Sequence, residues 1–253
     1  MKSNWVLEKV KKRELTYGCF TGFGSPNIVE MLAHVGFDWL IIETEHSAPE
    51  SPQIEHMLMA ANATDVVAMV RLLSQNRDHI QKTLDIGAQG ILVPMVRTAT
   101  EAQAIVRATR FPPEGDRAWG GFRATAYTTD NLDYMKRAND NILVALIIET
   151  PEAAQNIEEI AATPGIDALI FGPYDFCLSH GLDPTQQPHD RVEQFFERML
   201  EVAEKHGKVV GAVCATAEQL QEKKKQGALM LGVTDYMMLV RTAKQLLESM
   251  KSG

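Results

Sequence analysis

Glu43, Glu45 and His46 stand within four positions of one another, directly behind the apolar run Trp39-Leu40-Ile41-Ile42. Carboxylates and an imidazole delivered together suit proton transfer at neutral pH and the holding of a cation. The pattern recurs along the chain. Arg71 closes DVVAMVR, Glu149 and Thr150 close NILVALIIET, and Gly172, Pro173, Tyr174 and Asp175 close DALIFGPYD. An arginine ending an apolar strand can grip a carboxylate or an enolate oxygen through two parallel hydrogen bonds. The bland reading of Arg71 is a salt bridge to Glu45 or Glu149, and both can hold at once. Glu149 and Asp175 end adjacent strands, so their carboxylates can reach one point. With no cysteine pair or histidine pair beside them, they suit a hard divalent ion, Mg²⁺ or Mn²⁺. Against that stands the plain alternative that Asp175 caps a helix and Glu149 accepts a backbone amide. His46 needs an orienting carboxylate, for which Asp85, Glu43 and Glu45 all remain open.

What is missing narrows the chemistry further. No lysine falls at the carboxyl end of a strand, which disfavours a Schiff base. GxSxG, GxGxxG and GxxxxGK[ST] are absent, so neither a serine hydrolase elbow nor a glycine-rich phosphate loop is present. Cys19, Cys177 and Cys214 form no CxxC, which argues against a disulfide framework or a cysteine zinc site and fits a reducing cytoplasm. The residues therefore point to metal-assisted chemistry on a small oxo acid.

Positioning these groups requires an alternating scaffold, and the chain supplies one. Eight apolar, β-branched runs alternate with amphipathic segments: TYGCFTGF, WLIIETEHS, DVVAMVR, GILVPMV, NILVALIIET, DALIFGPYD, KVVGAVCA and ALMLGVT. This predicts a parallel sheet, and at 253 residues a single (β/α)₈ barrel domain over residues 1–253, a TIM barrel of the α/β class. In such a barrel the carboxyl ends of the strands carry the chemistry. Two long loops, FPPEGDRAWGGFRATAYTTDN and FCLSHGLDPTQQPHD, are expected to close over its mouth. A net charge of −8 argues against a nucleic-acid surface. No apolar run is long enough to span a membrane and no signal peptide opens the chain, so a cytoplasmic protein is expected.

The segments DWLIIETEH, VRLLSQNRDHIQKTLDIGAQGILVPMV, RATRFPPEGDR, LIIETPEA and FGPYD, in this order, resemble the HpcH/HpaI aldolase family. The resemblance runs from about Leu15 to Leu247. These are metal-dependent class II pyruvate aldolases, among them 2,4-dihydroxyhept-2-ene-1,7-dioate aldolase and 2-keto-3-deoxy sugar acid aldolases. The resemblance implies a divalent metal (Mg²⁺ or Mn²⁺, with Co²⁺ a further candidate) on Glu149 and Asp175, with Glu45 holding its waters. It implies that Arg71 contacts pyruvate and the developing enolate, and that His46 and Asp85 form an acid–base dyad. Backbone amides around the stretch Gly172, Pro173, Tyr174 and Asp175 would bind the substrate carboxylate. The partners implied are a 2-oxo acid and an aldehyde, within a hexamer, a trimer of dimers, in which the last helix packs on a neighbouring subunit.

The chain departs from the family pattern at several points. Glu43-Thr44 replaces Asp-Gly, Ile147 replaces a glutamine, Tyr174 replaces a small residue, and the loop 119–127, with Arg123, lacks a clean match. These departures leave the substrate open. The rival outcomes are oxaloacetate decarboxylation or macrophomate-synthase-like C–C bond formation, and a barrel that binds an oxo acid without turnover.

Overall fold

Runs of Ile, Leu and Val with no room for a polar face can only be strands covered on both sides, and all eight form. In the computed structural model, which describes residues 2–186 and 189–252, they are β1 (Thr16–Thr21), β2 (Trp39–Glu43), β3 (Val67–Arg71), β4 (Gly90–Val93), β5 (Leu143–Ile148), β6 (Ala168–Phe171), β7 (Val209–Val213) and β8 (Met230–Thr234). Each pairs in parallel with the next, and β8 closes on β1, giving the barrel expected from the alternation. Residues 187 and 188 of the second long loop lie outside the described residues.

Alternation along the strands separates two cores. Phe20, Ile41, Met69, Ile147 and Ile170 point inward, whereas Leu40, Ile42, Val70, Val144 and Phe171 pack outward against the helices. The lower interior is filled by Trp39, whose indole N–H donates to Thr16 Oγ1 at 3.2 Å. Its ring lies over two glycines of neighbouring strands. A Cβ on Gly18 would fall 2.0 Å from that ring and one on Gly232 2.7 Å from it. Below Trp39, helix α1 (Trp5–Lys11) sends Val6, Leu7 and Val10 into the same interior cluster. The amino end of the barrel is plugged.

The helices that follow are α2 (Pro26–Val35), α3 (Ser51–Asn62), α4 (Arg77–Asp85), α5 (Ala99–Thr109), α6 (Asn131–Asn141), α7 (Pro151–Gln155), α8 (Ile157–Ala161), α9 (Pro173–Ser179), α10 (Asp190–Lys205), α11 (Ala217–Gln226) and α12 (Asp235–Ser252). Local signals set several ends. Gly36 and Gly227 stop α2 and α11 in the left-handed conformation, and Thr98 with Glu101 forms a capping box on α5. Helix α12 differs from the others, because beyond Asp235 no residue is fully buried and only Met238 packs in part against the core. Leu239, Val240, Leu246, Leu247 and Met250 are exposed along it. Among the described residues no helix is long and apolar enough to cross a membrane.

Two expectations change. The first long loop follows a helix, not a strand, so it emerges at the amino rim and does not cover the mouth. There Arg117 meets Asp85 at the end of α4, and Arg123 donates to the Ile86 carbonyl at 2.7 Å. Strand β6 also ends earlier than its apolar run suggests. Gly172 is already the N-cap of α9 and Pro173 its first residue, so Tyr174 and Asp175 occupy a helical first turn.

Candidate active site

The inward alternation continues one step beyond the apolar layer and brings polar groups to the carboxyl rim. After Ile41 comes Glu43, after Met69 comes Arg71, after Ile147 comes Glu149, and after Ile170 comes Gly172. Glu43 and Arg71 are register partners, and the Arg71 Nη1 donates to Glu43 Oε2 at 3.1 Å. The second terminal nitrogen, Nη2, pairs with Glu45 Oε2. Arg71 Nε has no hydrogen-bond partner among the described residues although it is buried. A fork held by two carboxylates is fixed in orientation, and its Nε–H is left unspent.

Glu43 also shapes the loop that carries His46. Its Oε1 accepts the backbone N–H of Glu45 at 2.6 Å and that of His46 at 3.2 Å. Thr44 ties the same loop to β3, donating from Oγ1 to the Arg71 carbonyl at 2.5 Å. The Glu43-Thr44 departure is thus a pair of loop anchors, a role the sequence reading had not assigned. His46 itself is 63% exposed at its side chain, with Nε2 3.4 Å from Glu45 Oε2. Burial raises the Glu45 carboxyl above its ordinary range, while Arg71 and His46 pull it back down.

Glu149 is 2% exposed. Its Oε1 accepts the Met95 N–H at 2.7 Å, from a residue in the left-handed region (φ 56°) just past β4. The backbone amide that the plain alternative gave Glu149 is therefore present, but its donor comes from the turn after β4 and not from a helix start. The other oxygen, Oε2, lies beside Gly172, where a Cβ would come within 2.8 Å. Burial raises the Glu149 carboxyl, against the Met95 hydrogen bond and the charge of Arg71. Asp175 is exposed in the first turn of α9, and its charge acts on both Glu45 and Glu149. Among the described residues no three His, Cys, Asp or Glu side chains gather as a ready-made metal cage. Two carboxylates with free oxygens suit a hard cation that keeps its other positions for water and substrate.

The remaining candidates fall on both sides of this rim. Ile147 lies within the barrel beneath Gly172, its Cγ2 3.1 Å from where a Gly172 Cβ would be. Tyr174 stands 59% exposed at the mouth. Asp85 does not join His46 within one chain. It ends α4, nine residues or about 13 Å of helix away from the carboxyl rim, and its Oδ1 accepts from Arg117 Nη2 at 2.8 Å. Arg123 is likewise at the amino end and cannot serve the site of its own chain.

Residues 16–243 match the family described as HpcH/HpaI aldolase/citrate lyase. The chain belongs to that family. Hydroxypyruvate/pyruvate aldolase of Chromohalobacter salexigens is 38% identical over 206 residues, 80% of this chain and 79% of that one. 2-Keto-3-deoxy-L-rhamnonate aldolase of Escherichia coli K12 is 31% identical over 253 residues, 99% of this chain and 94% of that one. A solved HpcH/HpaI family protein from Burkholderia cenocepacia superposes with a TM-score of 0.93 at 31% identity, covering 98% of this chain and all of the other. The two named relatives of this HpcH/HpaI member are aldolases, that is, carbon–carbon lyases.

Proposed function

We propose that this family member is a divalent-metal-dependent aldolase that cleaves or forms a 4-hydroxy-2-oxo acid, with pyruvate or a related 2-oxo acid and an aldehyde as the small-molecule partners. The observation that carries the reading is Arg71, clamped by Glu43 and Glu45 beside the buried Glu149 with its Nε–H unspent among the described residues. Relatives named for pyruvate, hydroxypyruvate and a keto-deoxy acid support a 2-oxo acid as the common partner.

Glu149 and Asp175 would hold the metal, Mg²⁺ or Mn²⁺, which when bound acts as a Lewis acid toward the 2-oxo acid. Glu45, its carboxyl already poised by burial against Arg71, orients water at that centre. The backbone amides of Tyr174 and Asp175, behind Gly172 and Pro173, receive the substrate carboxylate. Arg71 donates to the C2 oxygen and grows more favourable as that oxygen gains negative charge. His46 takes the proton from the C4 hydroxyl. The C3–C4 bond then breaks, its electrons pass toward C2, and the aldehyde leaves. Protonation at C3 yields the 2-oxo acid, and aldol addition runs the same steps backward.

The His46–Asp85 dyad is completed between copies. Asp85 lies a helix-length from the rim of its own barrel, so it serves His46 of a second copy. The exposed apolar stripe of α12 supplies a surface for such an assembly, a hexamer built as a trimer of dimers. The experiment is pyruvate release from a panel of 4-hydroxy-2-oxo acids, before and after a chelator and after Mg²⁺ or Mn²⁺ is returned. Release that stops and recovers is expected. Chelator-insensitive release, or oxaloacetate decay with no aldol cleavage across the panel, overturns the reading.

A further inference from the structure

At the amino rim an arginine is buried where the fold alone does not call for one. The Arg117 side chain is 1% exposed. Its guanidinium lies 4.7 Å from the Phe111 ring and 5.7 Å from the Tyr134 ring. A single nitrogen, Nη2, donates to Asp85 Oδ1 at 2.8 Å and to the Tyr134 hydroxyl at 2.9 Å. Nε and Nη1 have no hydrogen-bond partner among the described residues. Burying a guanidinium with donors unspent is costly, and the two aromatic faces offset only part of that cost. An apolar side chain of similar volume commonly packs as well or better in such a place.

The geometry around Asp85 says what the charge accomplishes. Its Oδ1 is fixed by Arg117, whereas Oδ2 faces Gly120, where a Cβ would intrude to 2.9 Å. Gly120 has no positive φ, so the backbone does not demand glycine there, but the free oxygen does. The Asp85 side chain remains 17% exposed. One oxygen is anchored and the other is kept clear, on a carboxylate that reaches the surface. Burial pushes the Tyr134 phenol up, so it stays neutral and accepts the arginine's hydrogen bond. Exposed Trp119, Phe122 and Tyr127 lie on the same loop.

We propose that Arg117 is a positioning residue for the aldol reaction. It aims Asp85 Oδ2 across the subunit boundary at His46 of a second copy, and Gly120 leaves the approach open. This rests on the reading that the dyad forms between copies.

Mixed oligomers separate the two ideas. Differently tagged chains are co-expressed in pairs, doubly purified, and assayed for pyruvate release in the presence of Mn²⁺. His46→Ala and Asp85→Asn are each inactive alone. Together they recover roughly a quarter of wild-type activity, the share of intact sites when two chain types mix at random around a symmetric ring. Arg117→Met loses about 100-fold in kcat, the scale of a one-ångström misplacement. It should recover when mixed with His46→Ala, which supplies a well-held Asp85, and fail to recover with Asp85→Asn. Gly120→Ala should follow the same pattern, and it keeps the test open if Arg117→Met does not fold. No recovery from His46→Ala with Asp85→Asn overturns the dyad between copies. Recovery in that pair overturns the positioning role instead if Arg117→Met and Gly120→Ala keep wild-type kcat, are rescued by Asp85→Asn, or are not rescued by His46→Ala.

Discussion

Gly172→Ala tests the metal-holding geometry with a single methyl group. Gly172 sits at φ −102° as the N-cap of α9, so alanine meets no backbone strain. The new Cβ would lie 2.8 Å from Glu149 Oε2, 2.9 Å from Glu149 Cβ and 3.1 Å from Ile147 Cγ2. An ordinary contact begins near 3.4 Å, so the Glu149 carboxylate must retreat by about 0.6 Å. It has little room to do so, because its other oxygen is held by the Met95 N–H at 2.7 Å and the residue is buried. Overpacking of this kind costs about 1–3 kcal/mol of stability. Displacing a carboxylate ligand's support costs about 10–100-fold in metal affinity or activity. The assays are urea unfolding of the metal-free protein and calorimetric titration with Mn²⁺. Turnover at saturating metal supplies the third measurement. Destabilisation together with weakened Mn²⁺ binding is expected, and excess metal should restore part of the turnover. If Gly172→Ala binds Mn²⁺ as the parent does and turns over normally, Glu149 is not a ligand.

Two further predictions concern charge and substrate. Burial holds the Glu45 and Glu149 carboxyls above their ordinary value of 4.5, so the folded protein binds these protons more tightly than the unfolded chain. The stability of the metal-free protein should therefore fall as pH rises from 4.5 through the raised pKa values. Glu149→Gln should flatten that slope in part, leaving the share of Glu45; an unchanged slope would mean that the Glu149 carboxyl is not desolvated as described. Tyr174 stands exposed at the mouth, beside Asp175 in the first turn of α9. Tyr174→Ala should raise kcat/KM for bulky aldehydes about tenfold over small ones and leave C3 proton exchange of pyruvate unaltered. A uniform change across aldehydes would remove Tyr174 from the aldehyde wall.

The barrel was legible because inward and outward positions of a strand differ by one residue, and eight such runs alternate with helical periods. The same parity carries Glu43, Arg71 and Glu149 inward just above Ile41, Met69 and Ile147. Other contacts are written in coordinates that the sequence does not express. Glu43 meets Arg71 through strand register, and the Met95 N–H meets Glu149 through a turn. Arg117 stands in a Gly- and Pro-rich loop, a composition that reads as exposed, and Phe111 and Tyr134 bury it from positions six residues before and seventeen after. The strand ending at Asp175 was read too long because Pro173, a strong signal for the first residue of a helix, was passed over in favour of the apolar run. The place of Asp85 follows from counting. A helix that leaves the carboxyl rim and runs nine residues ends at the opposite one.

The plug formed by Trp39 and α1 gives the barrel a single entrance. Whatever binds against Glu149 and Arg71 lies at the bottom of a blind well, and whatever binds beside Tyr174 lies above it. For the proposed reaction, turnover is then a matter of sequence: in synthesis the 2-oxo acid must enter before the aldehyde, and in cleavage the aldehyde must depart before the 2-oxo acid can. An aldehyde that enters an empty well first blocks the way down. Substrate inhibition by aldehyde, relieved by raising the 2-oxo acid, is the kinetic trace that a closed floor leaves.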